Sequence, residues 1–295
     1  RTMKLGVFCY NTEYSIRPEK LAVMLEERGY ESIWLPEHTN IPTSRRSPFP
    51  GGGDLPKPYY HMMNPWVSLG AAAAVTKNLK LGTGISLVIQ HDPIVLAKEI
   101  ATLDVISGGR VLFGIGGGWN AEEMEQHGVP FDRRWKVLRE KIEAIKALWT
   151  QEKASYDGEF VKFEETWSYP KPVQQPHPPI ILGSATGQGR QRVVNYCDGW
   201  MPINVLLEDM PAAVDDLRQR AEAAGRNPDD IELSIFAQVG VDEDLLKRYR
   251  DLGIGRSVIG VPTSRPEKVE AVLGRLPPPI GGPAAWKRFA TISGF

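Results

Sequence analysis

Three short segments of this 295-residue chain carry residue types that could do chemistry. The first, 109–120, is an apolar run ending in Gly116, Gly117, Gly118, Trp119 and Asn120. Glycine has no Cβ, so a strand ending there can turn sharply and bring bare backbone against a flat ring. The same glycines would also serve a tight turn with no ligand. Their spacing is not the Gly-x-Gly-x-x-Gly of a dinucleotide fingerprint. The second segment, Glu37-His38, sets a carboxylate beside an imidazole, a pair that can tune a proton donor or hold a heterocycle. A histidine at a strand end can equally be just exposed or locally bonded. The third, 183–189, runs Gly183, Ser184, Ala185, Thr186, Gly187, Gln188, Gly189 into a helical pattern. Free N–H groups at a helix start point at one spot, and the helix dipole favours an anion there. Ser184 and Thr186 add hydroxyls, and Arg190 and Arg192 could supplement the charge. A plain N-cap in a loop is the alternative.

Other chemistries find little support. His61 and His91 have no evident partner in sequence, and no His, Cys or carboxylate set has metal-ligand spacing. There is no Gly-x-Ser-x-Gly elbow and no Ser/His/Asp order. A net charge of −1 with scattered Lys and Arg argues against nucleic acid and anionic membranes as partners. No apolar run approaches the ~20 residues of a bilayer span. Two cysteines, Cys9 and Cys197, are too few for a disulfide framework, which points to a reducing cytoplasm. Arg1-Thr2 ahead of Met3 reads as a tag remnant.

The elements that must position these residues alternate along the whole chain. Buried-strand patterns fall at 4–9, 31–36, 79–88, 110–115, 179–182, 199–202, 231–237 and 257–261. Between them lie helical patterns: one opened by Pro18 and closed by Gly29, another through 65–76, and one from Asp92-Pro93 to Ser107. Trp135, Leu138, Ile142, Ile145 and Trp149 mark a long amphipathic helix. Further helices carry Val193–Tyr196, Met210 to Gly225 and 244–252, and 264–267 reads as a capping box opening the last. Residues 37–63 form a long Pro- and Gly-rich loop, suited to a lid. Residues 154–178 read as an inserted hairpin with an extended connector. Eight strands alternating with helices predict an α/β fold, a (β/α)8 TIM barrel in one domain over 1–295, with a doubly wound open sheet as the alternative. A barrel gathers Tyr10, Glu37-His38, 84–86, 116–119 and 183–187 on one face.

Several ordered motifs resemble the luciferase-like monooxygenase superfamily of flavin and deazaflavin barrels. They are 34–42 (WLPEHTNIP), 81–124, the insertion and connector from 156 to 185, and the Cys-Asp-Gly-Trp run ending at Trp200. Residues 50–61 further resemble actinobacterial members that depend on coenzyme F420, the deazaflavin. The resemblance implies a flavin-like ring on the barrel's C-terminal face, backed by a non-prolyl cis peptide at Gly84-Ile85. It matches Glu37 and His38 to residues that contact the ring, and Gly183, Ser184, Thr186 and Gly187 to the phosphate loop; Gly116 and Gly117 are taken with them as cofactor-binding. Deazaflavin sugar-phosphate dehydrogenases carry a catalytic Glu where this chain has Trp119, so Trp119 and Tyr10 are read as walls of an apolar or aromatic substrate pocket. His38 is the catalytic candidate, and Arg45 and Arg46 could reach an acidic cofactor tail.

The expected activity is hydride transfer between F420 and a small-molecule substrate. An FMN-dependent monooxygenase, served by a flavin reductase and using O2, is one alternative. A non-catalytic cofactor-binding barrel is another. Family resemblance also suggests a homodimer.

Overall fold

The computed structural model describes residues 3–238 and 241–276, so the tag reading at 1–2 and residues 277–295 lie outside it. The elements, in chain order, are β1 (Lys4–Phe8), α1 (Pro18–Glu27), β2 (Ser32–Leu35), α2 (Pro65–Val75), β3 (Lys80–Thr83), α3 (Pro93–Ser107) and β4 (Val111–Ile115). There follow α4 (Ala121–Gln126), α5 (Arg134–Thr150), β5 (Ala154–Asp157), β6 (Lys162–Thr166), β7 (Ile180–Leu182) and α6 (Gly187–Tyr196). The chain continues with β8 (Gly199–Trp200), α7 (Met210–Ala223), β9 (Glu232–Ala237), α8 (Glu243–Asp251), β10 (Arg256–Gly260) and α9 (Pro266–Leu273).

Eight of these strands close into a barrel in the order β1-β10-β9-β8-β7-β4-β3-β2, all pairs parallel. Closure through β1, which pairs with both β2 and β10, removes the open-sheet alternative. Parallel strands covered on both faces must be apolar throughout, and β2, β4 and β7 are buried at every position. Local punctuation works as the sequence suggested. Asp92 Oδ1 accepts from the Ile94 and Val95 amides at 2.9 Å to start α3, and Gly108 ends it at φ 68°. The insertion is the antiparallel hairpin β5–β6, whose turn is held by Glu140 accepting from the amides of Glu159, Phe160 and Val161.

Inside the barrel, Phe8, Trp34, Leu112, Ile181, Met201 and Val258 form their own cluster, distinct from the core between strands and helices. The Trp34 indole fills its centre. A Cβ on Gly82 would lie 2.6 Å from that ring and one on Gly6 2.7 Å away, so both strands need glycine to admit it. Arg256 lies 5.7 Å from the same ring and pairs with Glu31 and Glu232. Because this plug fills the interior, the barrel itself leaves a ligand room at the strands' C-terminal tips.

Two expectations need correction. The third strand ends at Thr83, not 88, because the chain breaks from the ladder and enters a 3-10 turn, Val88–Gln90. The last helix has no capping box: Arg265 is its N-cap and makes no side-chain cap bond, while the Ser264 carbonyl accepts from the Ile16 amide. The loop 37–63 is ordered by contacts. It contains a 3-10 turn at Lys57–Tyr60, and Met62 bridges to Thr12. Ser44 and Ser47 bond Glu122 of α4, and Arg46 pairs with Glu125. Burial raises the Glu122 pKa, but the bonds from Ser47 and Ser44 outweigh it and hold the value at about 2.

Candidate active site

The floor of the site is the stretch that leaves β3. The Gly84–Ile85 peptide is cis, and the Ser86 amide donates to the Gly114 carbonyl at 2.8 Å. Ile85 then lies across the tips of β4 and β7. A Cβ on Gly116 would sit 2.9 Å from Ile85 Cδ1, and one on Gly183 3.1 Å from Ile85 Cγ2. At Gly117 the neighbour would be the Trp135 ring, at 2.6 Å. The glycine-rich tips are therefore filled first by the protein's own side chains. Glycine there makes room for Ile85 and Trp135, which in turn face the cavity.

Glu37 braces this floor from below. Its Oε2 accepts from Ser86 Oγ at 2.8 Å and from the Leu87 amide at 2.7 Å, and Oε1 lies 2.7 Å from His91 Nε2. Burial opposes a charge on His91, but the bond to Glu37 and its negative charge win, raising the His91 pKa above its ordinary value. Lys141 donates to the Ile89 and His91 carbonyls; desolvation lowers its pKa to about 8. The expected Glu37–His38 pair thus does not exist as a unit, and His91, passed over in sequence, is the partner of Glu37.

His38 turns the other way. Its Nδ1 lies 2.8 and 3.0 Å from the two carboxylate oxygens of Glu123, a residue 2% exposed in the first turn of α4. Asn120 caps that helix by accepting from the Glu123 amide at 3.0 Å. Among the described residues, Nε2 of His38 has no hydrogen-bond partner, and the side chain lines the cavity.

That cavity, about 600 Å³, lies at the barrel mouth and brings together Tyr10, Glu37, His38, Gly84, Ile85, Gly116, Gly117, Trp119, Gly183 and Ser184. The lid contributes Phe49 and Tyr59. Tyr59 is 5.3 Å from His38, 5.1 Å from Phe49 and 6.3 Å from Trp119 between ring centres, and its hydroxyl is 3.2 Å from that of Tyr10. Burial pushes the Tyr59 pKa up, so its hydroxyl stays neutral. The Phe49 and Trp119 contacts are edge-on, an arrangement that stabilises an aromatic wall by about 0.5–1.5 kcal/mol per pair.

Thr186 and Gly187 stand beyond the cavity rim, which ends at Ala185. Thr186 caps α6 by accepting from the Gly189 amide at 3.0 Å, and Ser184 Oγ lies 3.3 Å from Thr186 Oγ1. The Gly187 and Gln188 amides, in the first turn of α6, have no partner among the described residues. Arg190 is tied to Asp216 at 2.5 Å and to the Ala185 carbonyl, so it braces the loop instead of reaching a ligand. Arg192 stacks on the far side of Trp135, 3.9 Å from the ring centre. Arg45 and Arg46 are also engaged, by the Pro42 carbonyl and Glu125, and neither lines the cavity.

Sequence reading missed Glu123, Tyr59, Phe49 and Trp135. Glu123 had a usable signal, since an Asn followed three residues later by Glu marks a helix start, here at a barrel tip. Phe49 and Tyr59 sit in a loop without periodicity; Tyr59 falls within the 50–61 motif that carries the resemblance, and Phe49 had no signal. The Gly-rich tips and the helix start fit a ring with an anionic arm: Ile85 offers an apolar floor, Ser184 stands at the cavity edge, and the Thr186 hydroxyl with the free amides lies just past the rim. No group of three or more metal-ligating side chains occurs among the described residues. Nor is any helix there long and apolar enough to cross a membrane.

Comparison with known proteins agrees with this architecture. An uncharacterised protein of Mycobacterium tuberculosis is 41% identical over 280 residues, 93% of this chain and 97% of that one. An F420-dependent glucose-6-phosphate dehydrogenase of Kineococcus radiotolerans is 30% identical across 82% of this chain and 69% of its own. An FMNH2-dependent dimethylsulfone monooxygenase of Pseudomonas putida is 34% identical over 52% of this chain and 43% of its own. The solved structure of an F420-dependent secondary alcohol dehydrogenase superposes with a TM-score of 0.73, at 17% identity, over 96% of this chain and all of that one. The family description "luciferase-like monooxygenase" matches residues 3–276, and with the closed barrel and its mouth cavity this places the chain in that family.

Proposed function

We propose that the protein is an F420-dependent oxidoreductase acting on a small apolar or aromatic substrate. The observation that carries this reading is the cavity itself: an aromatic enclosure above an apolar floor, with one imidazole nitrogen left unpaired among the described residues. A deazaflavin, when bound, supplies a carbon that exchanges a hydride with substrate. Everything else falls to the chain. Ile85 would support the ring, and Ser184, Thr186 and the free amides of Gly187 and Gln188 would hold the anionic arm. Oxidation at a hydroxyl-bearing carbon releases a proton as well as a hydride, and on this reading His38 Nε2 accepts it; the reverse direction returns it. Tyr10, Phe49, Tyr59 and Trp119 exclude water and orient the substrate. Trp119 stands where sugar-phosphate dehydrogenases of this type carry Glu, which argues for a substrate other than a sugar phosphate. The two cysteines are free and buried, in keeping with a cytoplasmic setting.

FMN is the second reading, favoured by the similarity to the dimethylsulfone monooxygenase. It would bring a reductase partner and O2 into the reaction. Fluorescence titration of the purified protein with F420 and separately with FMN decides between them. Micromolar or tighter binding of F420 alone supports the first reading. A preference for FMN replaces it with the second, and binding of neither removes the phosphate-loop assignment.

A further inference from the structure

The proton transfer assigned to His38 requires one ring nitrogen to be held and the other to be free. Glu123 does the holding, with both carboxylate oxygens within 3.0 Å of Nδ1. It is fixed on two further sides. Asn120 accepts from its backbone amide, so the side chain leaves α4 from the first turn. Gln90 Nε2 donates to Glu123 Oε1 at 2.9 Å, and Gln90 belongs to the floor segment that Glu37 and Lys141 brace. Gln90 makes that bond while its own Oε1 is buried without a partner, so the amide is oriented by the carboxylate. An ionised carboxylate only accepts, so it pairs with a ring that carries a proton on Nδ1. In the neutral ring the lone pair is then on Nε2.

We infer that Glu123 is a positioning residue: it fixes the Nδ1–H tautomer of His38 and leaves Nε2 to the cavity as the proton acceptor. This rests on the role given to His38 above, but it can be read without cofactor or substrate. Long-range 1H–15N spectra of the imidazoles in the ligand-free protein at pH 8 report which nitrogen is protonated. The expected result is Nδ1–H over Nε2–H by at least about tenfold, the size a charge-assisted bond supplies. Glu123→Gln should bring the two tautomers to comparable populations or invert them, and Glu123→Asp, which keeps the carboxylate, should retain the native preference. F420 affinity in both variants should stay within about threefold of the native value, while turnover in Glu123→Gln falls about 10- to 100-fold. A native ring that carries its proton on Nε2, or a Glu123→Gln spectrum like the native one, overturns the inference. So does a Glu123→Asp spectrum that matches Glu123→Gln, since packing would then be the cause. None of these outcomes alters the F420 titration, so the cofactor reading stands or falls separately.

Discussion

Replacing Glu37 with glutamine separates a bracing role from a cofactor contact. The carboxylate receives Ser86 Oγ, the Leu87 amide and His91 Nε2 at 2.7–2.8 Å and is 1% exposed. Leu87 N–H can only donate, so an amide at this position must keep its oxygen there and turn its NH2 towards His91. His91 must then present a lone pair at Nε2. Three charge-assisted bonds become neutral ones, at a loss of about 1 kcal/mol each, so Glu37→Gln should cost about 3 kcal/mol. With an unfolding entropy of ~2.1 cal/mol/K per residue, a 295-residue chain has about 0.6 kcal/mol/K, and Tm should fall by about 5 °C. Calorimetry measures the fall, and titration with F420, the proposed cofactor, at a temperature well below it measures the site. A variant of native Tm that no longer binds the cofactor would refute the bracing role and return Glu37 to the ring.

His38→Ala should lower turnover about 10²- to 10⁴-fold while F420 affinity changes only a few-fold; steady-state kinetics beside titration checks both, and undiminished turnover removes His38 from the proton step. Gly117→Ala would set a Cβ 2.6 Å from the Trp135 ring, so a loss of about 1–3 kcal/mol by denaturant unfolding is expected, with altered cofactor affinity as the indole shifts. The His91 pKa is raised in the folded state, so its pairing with Glu37 contributes fully below pH 6.5 and fades as pH climbs through the raised value. The Tm advantage of the native protein over His91→Asn should accordingly be largest near pH 6 and shrink towards pH 8. A gap that widens with pH would contradict that sign.

The barrel was legible because its determinants are local. Apolar runs of four to six residues, helices opened by Asp92-Pro93 or Pro18, and the glycine stops at Gly29, Gly108 and Gly225 each declare themselves within a few positions. The cis Gly84–Ile85 bond was anticipated from family likeness alone, since nothing in two small or branched residues signals it. The aromatic wall was half visible. Tyr10 and Trp119 stand at strand tips, where barrel order places them, whereas Phe49 and Tyr59 reach the cavity from a loop whose path depends on contacts with α4 and with Thr12.

Electrostatics was the least legible layer, and Glu37-His38 shows why. Adjacent residues in an extended segment point to opposite sides, so sequence neighbours just past β2 are poor candidates for a working pair. Glu37 points to the floor and meets a histidine 54 positions away; His38 points to α4 and meets a carboxylate 85 positions away. Each acid–imidazole pair joins two different βα units, and each is more than four-fifths buried, where an unpartnered charge would be costly. A change at either carboxylate is therefore felt both in the packing of two units and in the protonation of one ring. The two consequences differ by pair: loss at Glu37 should appear first as stability, because its bonds hold backbone, and loss at Glu123 first as chemistry, because its bonds hold the His38 ring, which lines the cavity.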